Sequence, residues 1–152
     1  MIKKEIYLIA QNIRSLFNVG SLFRSADVFG VDKIYLCGYT AAPPRCKISK
    51  VALGADAWLP WEKCWQTHLL VHKLKKQGLK IYALETGPTT TPLNSFQPKF
   101  PCALIVGNEV KGISKKMLSL ADETVSIPML GKKESLNVSV AAGVALYTLR
   151  QA

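Results

Sequence analysis

The stretch Leu104-Ile-Val-Gly-Asn-Glu-Val-Lys-Gly-Ile-Ser114 carries an apolar run into a turn that contains two glycines. The run belongs to the segment Cys102 to Val106, which predicts a buried strand. Ser114 favours the start of a helix. In α/β domains, polar groups just beyond a buried strand commonly belong to a ligand site. Glu109 is therefore a candidate site residue, and the alternative is a turn residue exposed to water.

The same pattern recurs along the chain. Four other short segments predict strands: Ile6 to Ala10, Lys33 to Cys37, Lys80 to Leu84 and Thr124 to Ile127. Helices are expected from Asn18, as cap, to Phe29, from Cys64 to Gln77, and from Asn137 to Arg150. Trp58 to Trp61 is a possible further strand. Strands that alternate with helices predict an α/β fold with a mainly parallel sheet and helices on both faces.

Composition narrows the class of protein. The 152 residues fit one domain, and no apolar run approaches the roughly 20 residues of a membrane span, so a cytoplasmic protein is expected. The net charge of +10 favours a polyanionic partner, nucleic acid first, although a merely basic soluble protein is the alternative. The expected RNA surface consists of basic loop residues: Arg45, Lys47, Lys50, Lys111, Lys132 and Lys133.

Residues 18–24, Asn-Val-Gly-Ser-Leu-Phe-Arg, place an arginine on the second turn of a helix. Helical spacing puts Val19 and Leu22 on the buried side and Arg24 on the opposite side. Arg24 is a candidate functional residue. The alternative is that Asn18 only caps the helix and that Arg24 only pairs with Asp27.

Three other kinds of functional site fit the sequence poorly: a phosphate-binding loop, a zinc site and a base-stacking platform of tryptophans. The Gly107 to Gly112 spacing resembles a phosphate-binding P-loop, but Ile113 stands where its lysine belongs, so an ATPase is excluded. His68 and His72 have zinc-binding spacing without a third ligand, and no metal site is expected. The three tryptophans, at positions 58, 61 and 65, are interpreted as core or interface anchors rather than base-stacking platforms.

The last helix is apolar nearly all the way round, with Val138, Val140 and Val144 among its residues. Such a helix must be covered on several sides. A second copy of the chain is an economical cover, which predicts a homodimer, whereas a helix sandwiched inside one subunit is the alternative. Ser135 and Asn137 precede this helix and can cap it.

Taken together, three segments resemble the motifs of the SpoU (TrmH) family of RNA ribose 2′-O-methyltransferases in the SPOUT superfamily. They are Asn18 to Arg24, Gly107 to Ser114 and Ile127 to Ala142, supported by the weaker segment Ser49 to Ala55. The resemblance spans almost the whole chain as one methyltransferase domain, without the extra RNA-binding domain of some relatives. It implies a deep C-terminal trefoil knot, S-adenosylmethionine as cofactor, and tRNA or rRNA as substrate.

The resemblance also implies residue roles. Arg24 would activate the ribose hydroxyl, and Asn18 would orient either Arg24 or the ribose. Glu109 and Asn137 would align substrate groups in the same pocket, and Ser135 would support the loop. Cofactor contacts would come from Leu84, Gly107, Ile127 and Leu136. A catalytically silent RNA-binding module of the same fold is the main alternative. A dinucleotide-dependent oxidoreductase is weaker, because the first strand lacks a following Gly-x-Gly-x-x-Gly.

Overall fold

The computed structural model describes residues 3–152, which include seven strands. These are β1 (Ile6–Gln11), β2 (Lys33–Cys37), β3 (Trp61–Cys64), β4 (Lys80–Leu84), β5 (Thr91–Pro92), β6 (Cys102–Val106) and β7 (Glu123–Ser126). They form one sheet in the order β3-β2-β1-β6-β4-β7-β5. Every neighbouring pair is parallel, so the predicted parallel α/β sheet is confirmed.

Helices cover both faces of this sheet, as expected. They are α1 (Leu16–Val28), α2 (Cys46–Ala52), α3 (Ala55–Trp58), α4 (Thr67–Lys76), α5 (Lys115–Leu120) and α6 (Val138–Gln151), with a 3-10 turn at Leu93–Ser95. One core packs α1, α2, α3 and α6 against one face, and the other packs α4 and α5 against the opposite face. None of the helices in residues 3–152 combines the length and the apolar character needed to cross a bilayer.

Two predicted boundaries are wrong. Trp58 ends helix α3, and the strand begins only at Trp61. Cys64 pairs with Cys37 in the β2–β3 ladder, so helix α4 starts at Thr67 instead of Cys64. The reason is that β3 is a short edge strand with exposed and half-buried side chains, and it therefore lacks the apolar signal of a central strand.

Because the strands are parallel, their carboxyl ends meet at one edge of the sheet, which we call the carboxyl edge. The loops that leave β1, β2, β4, β6 and β7 all lie there. Helix α1 starts at this edge and runs back across the sheet. Ligands of open parallel sheets usually bind beyond such an edge, so the functional site is expected there.

Candidate functional site

A cavity of about 430 Å³ opens at the carboxyl edge, between the loops that follow β4, β6 and β7. Its volume lies in the range of small-molecule sites. All four residues predicted to contact a cofactor line it, namely Leu84, Gly107, Ile127 and Leu136. Two predicted catalytic residues, Glu109 and Ser135, line it as well. The structure thus brings together segments that lie far apart in the chain.

The turn after β6 is folded tightly enough to require its glycines. A Cβ atom on Gly107 would lie 2.7 Å from the backbone nitrogen of Ile113. Gly112 has a φ of +68°, and a Cβ there would collide with the Glu85 carboxylate. Glu85 Oε2 accepts a hydrogen bond from the Ile113 backbone N–H at 2.9 Å, which joins the end of β4 to this turn. The turn is therefore a preformed wall of the cavity.

Glu109 connects the same turn to the start of α1. Its two carboxylate oxygens accept hydrogen bonds from the backbone N–H groups of Arg14 and Ser15, each at 2.8 Å, and from Asn18 Nδ2 at 2.9 Å. Partial burial raises the pKa of Glu109, but these hydrogen bonds outweigh it and lower the pKa below its ordinary value. Glu109 is therefore an ionised acceptor with defined partners, not a free turn residue.

Asn18 does not cap α1, contrary to the expectation. Ser15 is the cap, and its Oγ accepts from the Asn18 backbone N–H. The Asn18 side chain is thereby free to point to the site, where its Oδ1 accepts from Asn137 Nδ2 at 3.1 Å. Asn137 is the N-cap of α6, as predicted, since its Oδ1 accepts from the backbone of Ser139. A continuous set of hydrogen bonds thus joins Asn137, Asn18 and Glu109.

Arg24 lies apart from this cavity. It is exposed, opposite the buried side of α1 as predicted, and it lines a shallow groove between α1 and α6 with Val140 and Val144. The alternative pairing with Asp27 is not observed, because Asp27 Oδ1 accepts from Trp58 Nε1 at 2.7 Å. Arg24 forms no ion pair with any residue from 3 to 152. Its guanidinium is available to a ligand or a partner.

Two site residues escaped the sequence interpretation, Glu85 and Asn108. Both line the cavity, and each directly follows or nearly follows a strand end, which is the signal that could have identified them. Asn108 Nδ2 donates to the backbone oxygen of Asn12 at 2.9 Å and to Tyr39 Oη at 2.7 Å. Asn108 therefore fixes the relative positions of the loops after β1, β2 and β6.

The tryptophans are not core anchors. Trp58 and Trp65 are 62% and 73% exposed, and Trp61 is 36% exposed. His68 and His72 have no further metal-ligand side chains near them, since residues 3–152 contain no cluster of three or more His, Cys, Asp or Glu suited to a metal ion. Trp58 is nevertheless joined to α1 through its hydrogen bond to Asp27.

Comparison with known proteins identifies similar chains. Residues 5–147 match the sequence profile described as the SpoU rRNA Methylase family. The tRNA (guanosine(18)-2′-O)-methyltransferase of Aquifex aeolicus is 32% identical over 95% of this chain and 68% of its own length. The 23S rRNA (guanosine(2553)-2′-O)-methyltransferase RlmP of Bacillus subtilis is 33% identical over 94% of this chain and 57% of its own length.

The fold has equally clear structural neighbours. The SpoU methyltransferase AviRb from Streptomyces viridochromogenes, solved in complex with the cofactor AdoMet, superposes with a TM-score of 0.88 at 25% identity. The match covers 99% of this chain and 61% of AviRb. The chain thus spans about three fifths of AviRb and of RlmP, whose remaining residues have no counterpart in it.

Proposed function

Since the chain belongs to the SpoU rRNA Methylase family, we propose that it methylates a ribose 2′-hydroxyl of tRNA or rRNA with S-adenosylmethionine as the methyl donor. The observation that carries this proposal is that a cavity and a set of hydrogen-bonded polar side chains lie together at the carboxyl edge. The glycine-walled cavity lies directly beside the hydrogen-bonded set of Asn18, Glu109 and Asn137. A small cofactor and a polar substrate group can therefore bind side by side.

The cavity fits S-adenosylmethionine by its chemistry. The apolar side chains of Leu84, Ile127 and Leu136 provide contact area, and the Gly107 turn exposes backbone amides and carbonyls that can read an adenine edge. When bound, S-adenosylmethionine supplies a sulfonium methyl group, which is transferred to the ribose oxygen as that oxygen loses its proton. The residues of the chain position the ribose and stabilise the charge that develops on it.

In this proposal Asn18 and Asn137 orient the ribose, and Glu109 holds Asn18 in place. Ser135 supports the loop that closes the cavity. Arg24 activates the hydroxyl by stabilising the developing oxyanion, because the ordinary pKa of an arginine, about 12.5 or higher, makes it a poor proton acceptor. Arg24 lies six helical steps after Asn18, which is about 9 Å along α1. A bound nucleotide can span that distance.

Cofactor binding is expected in the micromolar range without added metal, because the cavity offers backbone and apolar contacts. Gly107→Ala should weaken it about 10-fold or more, since the added methyl would strain the packed turn by about 1–3 kcal/mol. Gly131→Ala is the matched control, because its Cβ would meet no atom within 4 Å. Titration calorimetry in the presence of a chelator measures both. Equal affinities for the two variants would contradict this assignment of the turn.

We further propose that two copies of the chain pair through α1 and α6. Ala142, Ala145, Leu146 and Leu149 of α6 are buried in the subunit, but Val140, Val144 and Tyr147 on its other side are 52%, 42% and 54% exposed. The alternative of a helix sandwiched inside one subunit therefore does not apply. Arg24 lies in the same groove, so the ribose would be bound where the cavity approaches this interface.

Val144→Lys should convert the dimer to a monomer at micromolar concentration. A positive charge there would lie in the same groove as Arg24, and an unpaired charge buried in an interface costs several kcal/mol, which corresponds to more than a 100-fold loss of affinity. Val28→Lys introduces the same charge at an exposed valine of α1 outside the groove and should leave assembly unchanged. Light scattering distinguishes these outcomes. A monomeric parent protein would refute the pairing itself.

The chain is also proposed to carry the trefoil knot and to act as a single catalytic domain. The route of the C-terminal segment supports the knot. The loop after β7 contributes Ile127, Ser135 and Leu136 to a cavity whose other walls come from the loops after β4 and β6, and α6 then packs against α1. The segment thus returns among strands formed earlier in the chain.

The function itself is tested by incubating the protein with labelled S-adenosylmethionine and separated tRNA and rRNA pools, then mapping the labelled nucleotide. Label on a ribose 2′-oxygen of one pool is the expected result. Cofactor binding with no transfer to any pool would instead favour the catalytically silent RNA-binding module.

A further inference from the structure

Three exposed aromatic side chains follow three neighbouring strands at the carboxyl edge, outside the cavity. Phe17 follows β1, Tyr39 follows β2 and Trp65 follows β3, and these three strands are neighbours in the sheet. The side chains are 51%, 55% and 73% exposed. We call these three residues the aromatic row. Large aromatic groups this exposed, and adjacent to a functional site, commonly belong to an interaction surface.

The middle member is held rigidly. Tyr39 Oη accepts the hydrogen bond from Asn108 Nδ2, and the Tyr39 backbone N–H donates to Asn12 Oδ1 at 3.1 Å. Gly38 makes this approach possible, because it has a φ of +61° and a Cβ there would overlap Asn12 Oδ1. The Tyr39 ring is thereby connected to the wall of the cavity through Asn108.

The outer member is fixed from one side. Lys63 Nζ lies 4.4 Å from the centre of the Trp65 ring, in cation–π geometry. The same ammonium donates to the backbone oxygens of Gly38 and Thr40, which ties β3 to the loop that carries Tyr39. One face of the indole is therefore occupied by Lys63, while the large exposed fraction leaves area for a flat ligand.

The surroundings favour a polyanionic ligand with flat groups. The exposed Arg14 and Arg45 lie in the loops after β1 and β2, the same two loops that precede Phe17 and carry Tyr39, and the chain carries a net charge of +10. Two strand spacings separate β1 from β3, about 10 Å, which matches a few stacked bases at about 3.4 Å each. Single-stranded nucleic acid combines these properties, since its bases stack on aromatic rings and its phosphates meet cations.

We propose that the aromatic row binds unpaired bases of the substrate RNA next to the nucleotide that enters the site. This inference rests on the proposed function, because it assigns the position of the RNA relative to the cavity. Bases on the row would lead from Trp65 past Tyr39 to Phe17, which lies in the first turn of α1 beside Asn18. The surface accordingly selects an RNA whose target nucleotide is unpaired, as in a loop.

The test compares Trp65→Ala with Trp58→Ala. Trp58 is similarly exposed but precedes β3, so it lies at the opposite edge of the sheet and is a matched control. A labelled single-stranded oligoribonucleotide of about 12 nucleotides is the probe, and fluorescence anisotropy measures its affinity. Trp65→Ala should weaken binding about 5- to 150-fold, the range for loss of one base–aromatic stack, and Trp58→Ala should leave it unchanged.

Two further measurements keep the result specific. Trp65→Phe retains an aromatic ring and should restore most of the affinity, which separates stacking from a folding defect. The slope of log affinity against log salt concentration should be unchanged in Trp65→Ala. In Arg45→Ala its magnitude should decrease by about 0.7, because arginine, unlike tryptophan, neutralises a phosphate. Unchanged affinity in Trp65→Ala, or an equal loss in Trp58→Ala, would overturn the proposal.

Transfer assays distinguish this proposal from the proposed function. If the parent protein methylates RNA, Trp65→Ala should raise KM for RNA while kcat at saturating RNA stays near the parent value. If the parent protein methylates no RNA, the proposed function fails, yet oligoribonucleotide binding still decides the role of the row. A change in oligomeric state in Trp65→Ala, with RNA affinity unaltered, would identify a protein interface and reject the row as an RNA surface.

Discussion

Arg24→Ala is expected to reduce single-turnover methyl transfer about 100-fold or more, the scale for removing a positioned group that assists proton loss. Folding and cofactor binding should hardly change, because Arg24 is exposed, lies outside the cavity and pairs with no acid of residues 3–152. Rapid-quench assays with saturating protein measure the chemical step, and thermal unfolding and calorimetry measure the other two quantities.

Arg24→Lys is the companion variant. Lysine keeps the charge but loses the planar fork that can hold a phosphate and a hydroxyl together, so transfer should remain well below that of the parent protein. Near-normal single-turnover rates in both variants would rule out Arg24 as the activating residue, even if transfer itself is detected.

Glu109→Gln is also expected to lower the rate of methyl transfer about 100-fold. The cause would be a displacement of neighbouring residues, not the loss of a charge that acts on the substrate. The Glu109 carboxylate accepts from Arg14, Ser15 and Asn18, and an amide nitrogen in place of one oxygen would face a donor. Asn18 and the start of α1 would shift, and a displacement of about 1 Å near a reacting group costs about 100-fold. Glu134→Gln, in the exposed loop after β7, removes the same charge and should have little effect.

We also expect the stability difference between the parent protein and Glu109→Gln to depend on pH. The pKa of Glu109 is lowered in the folded protein, so its stabilising contribution is fully present above its unfolded pKa of about 4.3 and is lost as the pH falls through the lower folded value. Because Glu109 is exposed and its charge is screened by solvent, the unfolding free energies of the parent and Glu109→Gln should differ by less than about 1 kcal/mol at pH 7 and converge in stronger acid. Denaturant titrations at several pH values measure this difference, and a constant gap down to pH 3 would contradict the role given to the carboxylate.

The central strands were predictable because burial on both faces leaves a clear signal. The segments from Lys33, Lys80 and Cys102 have the predicted bounds, since each is a run of apolar residues in the middle of a parallel sheet. The edge strand beginning at Trp61 was predicted only as a possible strand from Trp58 to Trp61, three residues too early, because its side chains are exposed or half-buried. Hydrophobic patterns in a sequence indicate buried residues, and few side chains of this strand are buried.

Asn18, Glu109 and Asn137 were named from the sequence, whereas Glu85 and Asn108 were missed and the contacts among the site residues could not be predicted. Glu109 and Asn18 stand 91 residues apart in sequence, and Asn18 and Asn137 stand 119 apart, so no local pattern could pair them. Asn18 was assigned to the cap because serine and asparagine are both preferred N-cap residues, and the structure shows that Ser15 is the one that caps α1. The separation of Arg24 from the cavity likewise depends on how α1 and α6 pack.

Helix α1 joins the proposed cofactor site to the proposed pairing surface. Its first turn carries Asn18, which is bonded to the cavity side, and its second turn carries Arg24, which lies in the groove where a second copy is proposed to pack. Helix α1 would therefore contact both the cofactor site and the second copy. Any factor by which cofactor binding tightens the pairing of two copies must equal the factor by which pairing tightens cofactor binding, since linkage is reciprocal. The apparent cofactor affinity would then depend on protein concentration, and dilution alone would act as an inhibitor.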